Sequence, residues 1–160
     1  MSEPATSSLA ALQALTGAGY NYYRDMNRQR ADDLLVRGQA GDAVCRAAAR
    51  VAETAIAARR GMPSVTREAP FPDPALLAQL TQLRELQARL NALETRLRGP
   101  AALPDRDFSR LRASAQHCDR LVHLDAALIE AAGAPDLEHR IDAMNTILDA
   151  RAALASWSPS

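Results

Sequence analysis

The 160-residue chain contains no lysine, and all 19 of its basic residues are arginine. That absence excludes Schiff-base chemistry and a lysine general base. With so much Ala, Arg and Leu, it fits a GC-rich bacterial genome. Cysteine is scarce too: Cys45 and Cys118 are too few for a disulfide framework, and both lie in apolar helical stretches where a small buried thiol is expected. A reducing compartment suits them. No apolar run approaches membrane-spanning length, and Met1 to Ser8 has no basic segment ahead of an apolar one, so a cytoplasmic location is expected. Charge of one sign is also missing, because 19 acidic residues balance the arginines and hold the pI near 6.8. The whole chain therefore has no long-range attraction toward nucleic acid or a membrane surface.

Catalytic signatures are missing as well. No Gly-rich phosphate loop follows a strand, no nucleophile sits in a recognisable elbow, and neither Glu-x-x-His nor Cys-x-x-Cys occurs. No catalytic residue, cofactor or metal is assigned on this basis.

What is present is helix. The nine prolines and seven glycines punctuate apolar patterns of helical period. Gly38, Gly61, Gly99 and Gly133 read as helix stops, the first three directly after Arg37, Arg60 and Arg98, where a cation suits a helix C-terminus. Asp73-Pro74, Pro104-Asp105 and Pro135-Asp136 read as starts. The expected helices run near 7–37, 42–60, 74–98, 105–132 and 136–156, in one all-α domain spanning 1–160. Flexible ends are expected at 1–6 and 157–160, and a Pro-rich extended connection at 61–73.

The third helix carries the clearest pattern. Leu76, Leu80, Leu83, Leu86, Leu90, Leu93 and Leu97 recur at steps of three and four, a coiled-coil-like seam about 38 Å long. The fourth answers with Phe108, Leu111, Ala115, Cys118, Leu121, Val122, Leu124, Leu128 and Ile129, broad enough to touch two neighbours. Short connections predict antiparallel helical hairpins within a bundle. The fifth shows Leu137, Ile141, Met144, Leu148 and Leu154, and the second a face of small residues, Val44, Ala47, Ala48, Val51 and Ala55.

Among polar groups, His117, Cys118, Asp119, His123 and Asp125 include metal-ligand types, but His117 and His123 diverge by roughly 120° on a helix. Asp119 and His123 read instead as an i,i+4 surface pair. Arg46, Arg50, Arg59 and Arg60 on helix two could form a phosphate-binding stripe, against which stand Glu53 beside Arg50, the helix macrodipole and the lack of interleaved aromatics. The segment Thr16-Gly17-Ala18-Gly19-Tyr20-Asn21-Tyr22-Tyr23 holds every tyrosine. Its glycines mark a weak point in the helix, and Tyr20, Tyr22, Tyr23 and Met26 form either a partner-binding surface or a lid on the core.

The sequence thus points to a non-enzymatic helical interaction or assembly module, binding a protein partner or itself as a homodimer. Two other classes stay open. One is a small regulatory nucleic-acid-binding protein using the arginines of helix two; the other is an enzyme whose Arg, Asp and His residues converge between helices.

Overall fold

A computed structural model of the chain describes residues 5–17, 19–24, 29–68, 71–99 and 115–155. It is an all-helical bundle of five helices among those residues: α1 (Ala5–Thr16), α2 (Gln29–Arg60), α3 (Pro74–Arg98), α4 (Ala115–Gly133) and α5 (Leu137–Ala155). Packing pairs α2 with α3 and with α4, α4 with α1 and α5, and α3 with α5. The breadth of the α4 stripe explains its three neighbours: Cys118, Leu121, Ala126, Leu128 and Ala132 are buried, with Val122 and Ile129 half-buried beside them. Phe108 and Leu111 lie outside the described residues, as do Met26 and the expected start of the fourth helix near 105.

Two boundaries differ from the sequence reading. The first helix does not run to 37; it ends at Thr16, where the Gly17 amide bonds the Gln13 carbonyl at 2.7 Å and the backbone turns left-handed, with φ of 95° at Gly17 and 85° at Gly19. Those angles are what the glycine pair supplies. Gly17→Ala is expected to cost about 1 kcal/mol through backbone strain alone, since a Cβ there would meet nothing within 4 Å. A thermal melt checks it, and an unchanged midpoint would show the turn relaxing freely. The second helix, conversely, does not begin after Gly41, for α2 passes unbroken through Gly38 and Gly41. Val36, Ala40 and Val44, all fully buried, flank both glycines and anchor the helix across them.

The starts at Asp73 and Asp136 and the stops at Gly61, Gly99 and Gly133 agree with the residues that mark them. Asp73 caps α3, its carboxylate accepting from the Ala75 amide at 2.9 Å with Pro74 in the first turn. Asp136 does the same for α5, accepting from Glu138 and His139. Gly99 follows α3 with its backbone so close to the Thr95 carbonyl that a Cβ would sit 2.8 Å from that oxygen. Residues 61–68 and 71–73 are non-helical.

The α3 seam is covered unevenly. Leu90, Leu93 and Leu97 are sealed in the shared core, Leu80 is buried outside that core, and Leu76, Leu83 and Leu86 are half-buried. Toward α5 the helix is laced by arginines: Arg89 meets Glu138 and, at 2.9 Å, Asp142; Arg96 meets Asp149 and, at 2.9 Å, the Asn145 side chain. These pairs are exposed and fix alignment more than they add stability.

Candidate functional site

The largest concentration of chemistry lies inside the bundle. Asp33 and Arg37 of α2, Asp125 of α4 and Arg151 of α5 are all buried. Each stands in core register on its own helix: Asp33 three residues before Val36, Asp125 seven after Cys118, Arg151 seven after Met144. A charge so placed needs a partner. Asp33 takes two, its Oδ1 accepting from Arg151 Nη2 at 2.7 Å and its Oδ2 from Arg37 Nε at 2.9 Å. Arg151 Nε also stands 2.7 Å from Asp125 Oδ1, an ion pair whose alignment falls short of a hydrogen bond. Arg37 reaches on to the carbonyls of Leu97 at 2.6 Å and Gly99 at 3.2 Å, capping the end of α3.

The tyrosine segment closes this cluster. Tyr23, 1% exposed, holds a left-handed φ of 62° that a bulky residue seldom adopts. Three contacts impose it: its amide donates to Asp32 Oδ2 at 2.9 Å, its carbonyl accepts from Gln29 Nε2 at 2.9 Å, and its hydroxyl donates to Asp125 Oδ2. Tyr20 donates to the other oxygen of Asp32 at 2.7 Å, and Tyr22 to the Leu12 carbonyl at 3.1 Å, tying α1 to the segment. Tyr20 and Tyr22 also stack edge-on with centroids 4.9 Å apart. Tyr22 and Tyr23 are thus core residues in this structure, the interior one of the two placements open from the sequence, and Tyr20 is half-buried. Tyr22→Phe is expected to cost about 1 kcal/mol by removing the hydroxyl that Leu12 and Thr16 share. A urea titration against the parent measures it; no loss would mean that water replaces the bond.

Protonation follows from this burial. Burial, then the neighbouring Asp125 carboxylate, pushes the Tyr23 phenol well above its ordinary value, so it stays a donor. Burial raises Asp125 to about 6 against the opposing pull of Arg151 and the Tyr23 hydroxyl. Burial works against the charge of Arg151, but Asp125, Tyr23 and Asp33 outweigh it and the guanidinium is held above its usual value. All four carboxylate oxygens of Asp33 and Asp125 face protein cations or a hydroxyl, so the groups neutralise one another.

Other polar groups settle differently from the sequence reading. Asp119 pairs with Arg24 at 2.7 Å rather than with His123. Cys118 is buried as expected, whereas Cys45 is exposed. Arg140, 5% exposed, turns its guanidinium onto the Ala134 carbonyl, and burial and nearby Arg50 lower its pKa. Arg46, Arg50, Arg59 and Arg60 are exposed along α2, and none makes an ion pair among the described residues, Arg50 with Glu53 included. Among the described residues no cluster of three metal-ligand side chains forms, and no helix is long and apolar enough to cross a membrane.

No protein-family model matches the chain, and no curated protein or solved structure is similar to it.

A second region is notable for what it leaves open. Five large apolar residues are exposed among those described, and four of them, Ile56, Val65, Phe71 and Leu77, fall at the end of α2, in the connection and at the start of α3. A groove of about 500 Å³ lies between α3 and the start of α5, lined by Gln82, Leu83, Leu86, Arg89 and Glu138.

Proposed function

We propose that the protein is a non-enzymatic helical interaction module, in which α2 and α3 pair as an antiparallel, coiled-coil-like hairpin whose far end is the docking surface. Several contacts support that geometry. Arg37 and Asp42 in the first half of α2 reach Leu97 and Arg98 at the end of α3, and Arg50 lies near Arg140 at the start of α5. Arg89 of α3 meets Glu138 in the first turn of α5. Residues of α2 beyond 50 and of α3 before 86 therefore project past α5 as an arm, about 15 Å of helix on the α2 side.

One observation carries the reading: four of the five exposed large apolar side chains sit on this arm, Phe71 at 84% exposure. An isolated exposed leucine is ordinary, but such a concentration at one end marks a contact site. The interior cluster, by contrast, is spent on holding four helices and the tyrosine segment together. The occupant is a partner protein or, as the seam suggests, a second copy.

Photo-crosslinking tests this directly. With a photoreactive residue replacing Phe71 or Leu77 in the native host, crosslinked products are expected, and few from the same residue at Asp119 on α4. Equal yields at all three positions would remove the arm as a specific docking surface.

A further inference from the structure

The tyrosine segment and α1 are attached to the bundle differently from the other helices. Val36, Leu90, Leu97, Leu121, Leu128 and Met144 draw α2, α3, α4 and α5 into one sealed apolar core. To that core α1 and the segment add Leu12, Tyr22 and Tyr23 as buried side chains, while Gln13, Ala14, Asn21 and Arg24 are exposed. Polar contacts supply much of the rest, and four of them end on carboxylates: Tyr20 and the Tyr23 amide on Asp32, the Tyr23 hydroxyl on Asp125, and Arg24 on Asp119 at 2.7 Å. Tyr23 keeps its left-handed φ of 62° because such contacts outweigh the strain, so its backbone relaxes when they let go.

We propose that α1 and the tyrosine segment form a strap that opens as a unit from a bundle that stays folded, with the Tyr23–Asp125 contact as a latch that loosens as pH rises. Closed, the strap leaves Asp125 fully buried beside an ion pair to Arg151 that is out of alignment. An ionised carboxylate in that setting gains hydration when Tyr23 moves away, whereas a protonated one gives up little by staying covered. Burial raises the Asp125 pKa to about 6 in the closed state, and water admitted by an open strap returns it toward its ordinary value. The closed state therefore binds the proton more tightly. Closure is strongest below about 4 and weakens up to about 6, beyond which the loss is complete. The groups that face Asp125 set no contrary trend over that range. Within α1 there is no ionisable side chain, Tyr22 and Tyr23 stay protonated, Arg151 of α5 stays charged, and the Asp33 carboxylate of α2 adds to the penalty on the ionised form. Opening uncovers the face of α4 beneath α1 and admits water to Asp33, Asp125 and Arg151.

Hydrogen–deuterium exchange of the full chain, followed peptide by peptide and corrected for the intrinsic rate at each pH, tests the strap. A lone helix of 12 residues is marginal in water, so the α1 amides lose protection when the strap opens. Peptides within 5–24 are expected to be protected, but at least about tenfold less than peptides of α2 and α4. Their protection should fall about tenfold from about pH 5 to about pH 8, and Asp125→Asn, which cannot ionise, should remove that fall. Leu12→Ala removes the apolar anchor instead. It should leave 5–24 near the unprotected rate while α2 and α4 stay protected and the chain still melts cooperatively. Equal protection of 5–24 and of α2 and α4 would overturn the strap, as would a parent in which 5–24 are unprotected at the acid end of the range, or a Leu12→Ala chain that does not fold. A parent without the fall, or a fall that persists in Asp125→Asn, would overturn the latch.

Discussion

Replacing Asp33 with alanine is expected to lower the free energy of unfolding by about 3–5 kcal/mol, enough to leave a domain of ordinary stability marginal. Asp33 is fully buried and stands between two buried guanidiniums, accepting from Arg37 at 2.9 Å and from Arg151 at 2.7 Å. Its removal leaves Arg37 held by two backbone carbonyls alone and Arg151 dependent on a misaligned contact with Asp125. Uncompensated charge inside a bundle costs far more than an exposed pair supplies, so Asp119→Ala, which breaks the exposed pair with Arg24, should cost less than about 1 kcal/mol. Urea denaturation of both variants followed by circular dichroism makes the comparison. Equal small losses would mean that water reaches the guanidiniums and that the cluster does not hold the helices together.

Elements whose ends are set by local chemistry were legible in the residues. Asp73-Pro74 and Pro135-Asp136 announce caps, and both aspartates accept amides from the turn they open. The Leu seam likewise found its helix. What misled was the pair Arg37-Gly38. An arginine followed by glycine suits the end of its own helix, yet Arg37 caps a different one, bonding carbonyls 60 and 62 residues onward at the end of α3. Glycine costs a helix only about 1 kcal/mol, which the buried residues on either side of Gly38 readily offset. The glycines at 17 and 19, a weak point within a helix by sequence, end it, because a left-handed turn is needed to bring Tyr22 back onto Leu12.

The interior cluster carried a sequence signal of another kind. Asp125 occupies the same stripe as Cys118, and Arg151 the same stripe as Met144 and Leu148, so each was a charge at a position whose periodicity demands burial. Two such misfits of opposite sign predict a buried pair somewhere, but not that Asp33 would bridge Arg37 to Arg151 or that Tyr23 would close over Asp125. Those contacts span 118 and 102 residues and depend on how the helices cross. Periodicity along one helix contains no such information. The exposure of Ile56 and Leu77 was hidden for a related reason: it depends on which helices reach the end of α2 and the start of α3 in space.

The stability of this cluster should fall as pH rises through about 6, the reverse of what paired carboxylates usually give. In the ordinary case an ion pair depresses an aspartate, and stability is lost on acidification. Asp125 behaves oppositely because its burial is complete, its pair with Arg151 is poorly aligned, and the Asp33 carboxylate adds repulsion. Its pKa therefore rises from 3.8 unfolded to about 6 folded. A folded state that binds a proton more tightly than the unfolded one is stabilised wherever the proton is present. The contribution is complete below about 4, declines between there and about 6, and is gone above, amounting to roughly 3 kcal/mol over the window. The groups facing Asp125 do not reverse that sign: Tyr23 from the tyrosine segment stays protonated, Arg151 from α5 keeps its charge, the Asp33 carboxylate from α2 acts in the same direction as burial, and α1 brings no ionisable side chain. Other carboxylates and the histidines add their own dependence, so the measurement is a difference. The free energy of unfolding of the parent, minus that of Asp125→Asn, is followed by urea titration from about pH 4 to about pH 8. The difference should decrease by that amount as pH rises and level off above about 7. A difference that grows with pH instead would show that Arg151 and Tyr23 stabilise the carboxylate more than burial penalises it.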